Sequence, residues 1–146
     1  MNAPTEPPNR ASYDLEKQVG FMLRLASQRH GLIFQKHAPD NLTPTQFSTL
    51  IRLSELGDVS QNHLGRTAAM DVATVKGVVD RLRSKGLVAS RPDQVDKRRS
   101  VISLTDKGHA MVGALETIGH QITQDTLAPL TAREQRTLVG LLAKIA

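Results

Sequence analysis

Apolar positions recur along the chain with two different periods, and the change between them divides it into elements. From Tyr13 to His37, Leu15, Val19, Met22, Ala26 and Ile33 lie near one helical stripe, while Phe21, Leu25 and Leu32 add a second. This predicts one long helix whose apolar arc is wider than a single small domain needs. One stripe is expected to pack on its own domain and the other on a partner subunit. Pro39-Asp40-Asn41 reads as a turn, and Thr43-Pro44 as an N-cap with proline at the first helical position. Phe47, Leu50, Ile51 and Leu53 predict the buried side of a second helix that ends near Gly57. Ser60 caps a third over 60–70, with Leu64, Ala68 and Thr67 inward. Asp71 caps a fourth, where Val72, Val75, Val79 and Leu82 share a face and Lys85-Gly86 marks the stop.

Beyond Gly86 the period becomes two. Leu87–Pro92 and Ser100–Leu104 alternate like the strands of a hairpin, joined by a cationic loop over 93–99. Thr105 then caps a helix through Met111, Leu115, Ile118 and Ile122. Pro129 breaks it, and Thr131 opens a last helix through Leu138, Leu141, Leu142 and Ile145. The predicted fold is mainly α with a small β-hairpin. Helix, tight turn, second helix and hairpin is the order of a winged helix-turn-helix. The predicted organisation is a loose segment over 1–12, a long helix over 13–38, a winged-helix lobe over 39–104 and C-terminal helices over 105–146.

A length of 146 residues suits one domain with a real core. The chain has no cysteine, which excludes disulfides, thiolate zinc sites and thiol chemistry. Aromatics are 3% of residues with no tryptophan, which argues against stacking platforms for single strands. Met1–Arg10 is polar and proline-rich, unlike a signal peptide, and no apolar run approaches the ~20 residues of a membrane helix. A cytoplasmic protein with no membrane partner is expected, nucleoid-associated when on DNA. The five histidines lack metal-ligand spacing and no glycine-rich phosphate loop is present, so neither an enzyme nor a cofactor or metal is expected.

Charge changes the picture more. The formal net charge is +5, and the stretch Asp80–Arg99 alone holds seven cations against three acids, +4 of it. The surplus is local to the predicted recognition helix and hairpin, which points to a polyanion at that face. A helix about 10–12 Å across fits the roughly 12 Å major groove of duplex DNA. An arginine-bearing hairpin tip fits the adjacent minor groove.

Four motifs, "LTPTQFSTL", "HLGRTAAMDVATVKGVVDRLRSKGLV", "DKR" and "LTDKG", stand in an order and spacing that resemble the MarR (multiple antibiotic resistance regulator) family of transcription factors, from about Tyr13 to the C-terminus. The resemblance implies a homodimer held by the first and last two helices and a pseudo-palindromic operator in double-stranded DNA. It also implies repression relieved by a small molecule, often an aromatic carboxylate. Arg98 matches the family's minor-groove arginine, and Asp96 the acid that holds it. Thr74 and Lys76, with Ala73 beside them, match recognition-helix positions, and Ser60, Gln61 and Thr67 match phosphate contacts on the bracing helix. Asp71 stands where serine is common and Gly77 where arginine is common, so the family's sequence preference does not carry over.

Lys97 and Arg99 are open to either a solvated position or a phosphate contact. Arg81 and Arg83 can touch DNA or pair with Asp80 or Glu55. For the effector, the resemblance points between the dimer helices and the lobe. Arg24 and His30, near Arg29, are candidates to hold a carboxylate and a ring substituent, with Phe47 and Met111 as apolar walls. A solvated or ion-paired Arg24 is the competing reading. The whole chain, rather than any motif, is similar to repressors of aromatic-acid catabolism, the nicotinate branch among them. The alternatives are a winged-helix DNA binder with no effector and a protein-interaction module, which "DKRR" argues against.

Overall fold

Short-range caps decide where the helices begin. The computed structural model describes Pro4 and residues 12–146, so the loose segment expected over 1–12 falls almost wholly outside the described residues. A 3-10 turn at Leu15–Lys17 leads into α1 (Val19–His37), and a second at Pro39–Asn41 into α2 (Pro44–Leu56). Then come β1 (Val59–Ser60), α3 (Gln61–Thr67), α4 (Val72–Ser84), β2 (Val88–Pro92), β3 (Ser100–Leu104), α5 (Asp106–Leu127) and α6 (Ala132–Ile145). Thr43, Ser60, Asp71, Thr105 and Thr131 each accept the backbone N–H three residues on, satisfying a donor that a first helical turn leaves free.

Three expectations are corrected, and the expected hairpin is present with one strand added. Tyr13–His37 is not one helix, because Gln18 is extended (φ −85°, ψ 131°) and separates the 3-10 turn from α1. The third helix stops at Thr67, before Ala69 takes a left-handed φ of 55°. The hairpin is part of a three-stranded antiparallel sheet, order β1-β3-β2, with Val59 opposite Ile102 and Ser90 opposite the same residue from the other side. Val72 is 72% exposed, and Val78 takes the inward place on α4 instead.

The core lies where α2, α3, α4, the sheet and the first half of α5 meet. Leu50, Leu53, Leu64, Leu82, Leu87, Ile102 and Leu115 are fully buried there. Each such side chain contributes about 1.5–3 kcal/mol. In α1 only Phe34 is buried, and its ring meets Phe47 of α2 edge-on at 5.5 Å. α1 is fastened to α5 by polar groups: Arg29 donates to the carbonyls of Thr126 (2.6 Å) and Asp125 (3.1 Å), and His37 Nε2 lies 2.6 Å from Asp125 Oδ2. α6 buries no residue. Among the described residues no helix is long and apolar enough to cross a membrane.

The wing is set against α5 at one tight point. Thr105 N donates to Leu87 O (3.1 Å), Thr105 Oγ1 to Gly86 O (2.6 Å) and Lys107 Nζ to Lys85 O (2.9 Å). A Cβ on Gly108 would stand 2.1 Å from Leu87 O, so the approach of α5 to this strand needs glycine. Gly108→Ala is therefore expected to lower stability by at least about 1–3 kcal/mol, the usual cost of overpacking. Chemical denaturation checks it: an unchanged midpoint would mean that α5 and the wing part freely.

Candidate nucleic-acid interface

α3 and α4 form the helix pair. They close on each other at Gly65, where a Cβ would lie 3.1 Å from Val75 Cγ1. Burial of Val75, Val78, Val79 and Leu82 turns the opposite side of α4 outward, leaving Ala73, Thr74, Lys76 and Arg81 exposed. Asp71 does not face outward as a bare carboxylate. Its Oδ1 accepts Thr74 N at 2.7 Å. Hydrogen bonds from the Thr74 backbone, the Thr74 side chain and the Ala73 backbone hold its pKa below the ordinary carboxylate value. Of the cations on α4, Lys76 lies 3.2 Å and Arg83 3.5 Å from Asp80, while Glu55 pairs with Arg52.

The wing loop is ordered by two aspartates. Asp93 Oδ1 accepts Val95 N (2.8 Å), and Asp96 Oδ1 accepts both Arg98 N and Arg98 Nε at 3.1 Å. Arg99 Nε lies 3.6 Å from Asp96 Oδ2. The guanidinium of Arg98 is nonetheless 91% exposed, so Asp96 orients it without covering it. The Arg98 side chain, then its backbone N–H and the charge of Arg99 lower the Asp96 pKa. With a depressed folded value, this ordering is present above the ordinary carboxylate range and is lost only as pH falls through that depressed value. At the strand end, Arg91 is tied to Asp58 at 3.1 Å.

These pieces meet. Ser60, Gln61 and Asn62 at the start of α3 share a small polar cleft of about 120 Å³ with Arg98, Arg99 and Ser100. Four expected site residues, Ser60, Gln61, Arg98 and Arg99, are thus neighbours, and α4 lies against α3 beside them. Thr67 stands apart: its hydroxyl donates to the carbonyls of His63 and Leu64, and it lines a different cleft with Phe47 and Ala68. Lys97 is exposed on the wing loop. Asn62, Ser100 and the Arg91–Asp58 tie were not foreseen; the last spans 33 positions and leaves no local signal.

The effector candidates are spread out. Arg24 lies 5.4 Å over the Phe21 ring on the exposed face of α1. His30 Nδ1 is 2.9 Å from Thr126 Oγ1, and its ring lies 6.5 Å from Phe34. Arg29 is occupied by the end of α5. Met111 is half-buried against the core. None of these lines a cleft of about 840 Å³ between α1 and α2, whose apolar floor of Phe34 and Leu42 is edged by Gln28, Gln35 and Asn41.

Comparison with known proteins bears on this arrangement. Residues 42–100 match the model of the MarR family. The HTH-type transcriptional repressor NicR of Pseudomonas putida is 39% identical over 140 residues, covering 95% of this chain and 89% of NicR. The structure of Bordetella bronchiseptica BpsR, whose DNA binding is regulated by 6-hydroxynicotinic acid, superposes with a TM-score of 0.85 at 38% identity, covering 92% of this chain and 96% of BpsR. A mutant of Escherichia coli MarR in complex with operator DNA has a TM-score of 0.78 at 27% identity, covering 87% of this chain and 92% of that one. With its helix pair, its arginine-tipped wing and 39% identity to such a repressor over nearly its whole length, the chain belongs to the MarR family of winged helix-turn-helix transcriptional regulators.

Proposed function

We propose that the chain is a repressor that binds a pseudo-palindromic operator as a homodimer and releases it when a small aromatic acid binds. The observation that carries the DNA reading is the cleft joining Ser60 and Gln61 to Arg98 and Arg99. In this reading α4 enters the major groove and α3 braces it across the phosphates. Arg98 enters the flanking minor groove, where negative potential concentrates. Thr74, Lys76 and Arg81 reach bases or backbone, with Ala73 against the groove floor. Lys97 and Arg99 meet phosphates, and Thr67 adds one at the rim. Asp71 holds the N-terminus of α4, and Asp96 aims Arg98. Such a regulator works in the cytoplasm, on the nucleoid when bound, and carries out no catalysis.

A second copy is supported by uncovered apolar surface. Val19, Met22, Leu25 and Leu32 of α1 and Leu138, Val139, Leu141, Leu142 and Ile145 of α6 are all exposed. Exposed apolar rows of this extent on the first and last helices mark an interface. Half-sites about one DNA turn apart follow from the two-fold axis.

For the effector, NicR and BpsR support an aromatic acid of the nicotinate type. His30, Phe34 and Phe47 form an aromatic column between α1 and the lobe. Arg24 and His30 are six residues apart, which turns them about 120° from each other on one helix. They serve a single small ligand only if Arg24 comes from the second copy, its fork taking the carboxylate. Phe47 and Met111 supply the apolar side.

Three outcomes are expected. Arg98→Ala should weaken operator binding at least about tenfold while the dimer survives, read by gel-shift titration and sedimentation; unchanged binding removes the wing from the interface. Asp71→Asn keeps an N-cap but removes a negative charge near phosphate, so affinity should rise a few-fold with unchanged melting temperature, and unchanged affinity would place Asp71 away from the DNA backbone. 6-Hydroxynicotinic acid should raise the melting temperature and release the operator, and Arg24→Ala should blunt both responses. Full responses in that variant would put the carboxylate elsewhere.

A further inference from the structure

The outward turns of α4 are arranged around one guanidinium. Counted at about 100° per residue from buried Val75, Val78, Val79 and Leu82, the side furthest from the core carries Ala73, Gly77, Asp80 and Ser84, with Lys76 and Arg81 to either side of it. The cations beside them are not equivalent. Asp80 holds Lys76 from the turn before it and Arg83 from the turn after it, both on one side of the helix. Among the described residues Arg81 meets no carboxylate. Its Nη1 lies 3.3 Å from the point where a Cβ on Gly77 would stand. The fork of Arg81 therefore lies back along the helix, over the one position of that turn that carries no side chain.

We propose that Arg81, lodged over Gly77, reads a guanine in each half-site, and that Gly77 sets this preference by leaving its position without a side chain. The inference rests on the duplex-binding reading above and deepens it. Guanine presents O6 and N7 side by side on its major-groove edge, and a planar fork of N–H donors matches both at once. A lysine is a point charge without that geometry. Lys76 must also leave Asp80 before it can reach a base, so its part is to meet phosphate. A methyl at position 77 would crowd the fork where it lies and shift it by a few tenths of an ångström, and a longer side chain would displace it further. Gly77 and Arg81 thus act as one reading element, four residues and about one turn apart.

Selection from a randomised duplex library with the purified full chain tests this. The unaltered chain should enrich guanine at one position of each half-site. Arg81→Ala should lose that preference by about five- to 150-fold, the ~1–3 kcal/mol of a bidentate pair at ~1.4 kcal/mol per decade, with the other positions kept. Arg81→Lys should recover little of it. Gly77→Ala favours the helix and so leaves the fold intact, yet it should weaken the same guanine preference by crowding the fork. Lys76→Ala should lower affinity for all sequences alike. The proposal is overturned if Arg81→Ala keeps the guanine preference. It is equally overturned if that variant weakens every sequence equally and lowers the salt slope by about one, the signature of a phosphate contact. If the unaltered chain retains no duplex at all, the DNA reading itself fails, a result distinct from a retained operator without the guanine.

Discussion

The carbonyl of Leu87 is the point on which the reading surface depends. It follows the end of α4, it begins the wing, and it accepts the N–H of Thr105 just before α5. Gly108 lets α5 close on it to a distance that no side chain would permit. Lys107 and Thr105 clasp the two carbonyls before it. Recognition helix, wing and the long α5 are thereby joined as one body. Sheet pairing from Val88–Leu104 to Pro92–Ser100 carries that rigidity outward to the loop that bears Arg98. At its far end α5 is gripped by Arg29 and His37 of α1, so a ligand or partner that moves α1 acts on a lever already fixed to the wing.

Electrostatics on this face is a matter of aim rather than total. Exposed ion pairs add little to stability, yet each here fixes a direction. Asp96 holds the base of Arg98 and leaves its tip in solvent, and Asp58 steadies the strand through Arg91. Asp80 gathers Lys76 and Arg83 to one flank of α4. Asp71, which sits where a carboxylate should repel phosphate, is turned to the backbone of its own helix. Preorganised cations of this kind lose less freedom on meeting an anion, which favours a defined register over diffuse attraction.

What the sequence shows clearly is local. The caps at Thr43, Ser60, Asp71, Thr105 and Thr131 are legible because cap and partner are three residues apart, and the wing because its period changes abruptly. What it hides is long-range. β1 is two residues long and exists only because β3 offers it an edge. The buried set on α4 was legible by spacing, but Val72 lies one turn ahead of Val75, where the core has already ended, and periodicity cannot show where a core stops. In α1 spacing revealed two apolar stripes, yet only Phe34 is buried in this chain. Most of the residues proposed to face DNA were legible through motif order. The effector residues were named by chemistry alone, and the helix turns Arg24 and His30 to different sides. The role of Arg29 at the end of α5 spans 97 positions and had no sequence signal.

The central claim is that one rigid body offers a helix to a major groove and an arginine to the minor groove beside it. Methylation interference on a duplex from the chain's own promoter region tests it most directly, because guanine N7 reports the major groove and adenine N3 the minor. The account predicts that methylation in both grooves blocks binding, at positions about half a turn apart and repeated with two-fold symmetry. Interference confined to one groove, or none in either, would contradict it.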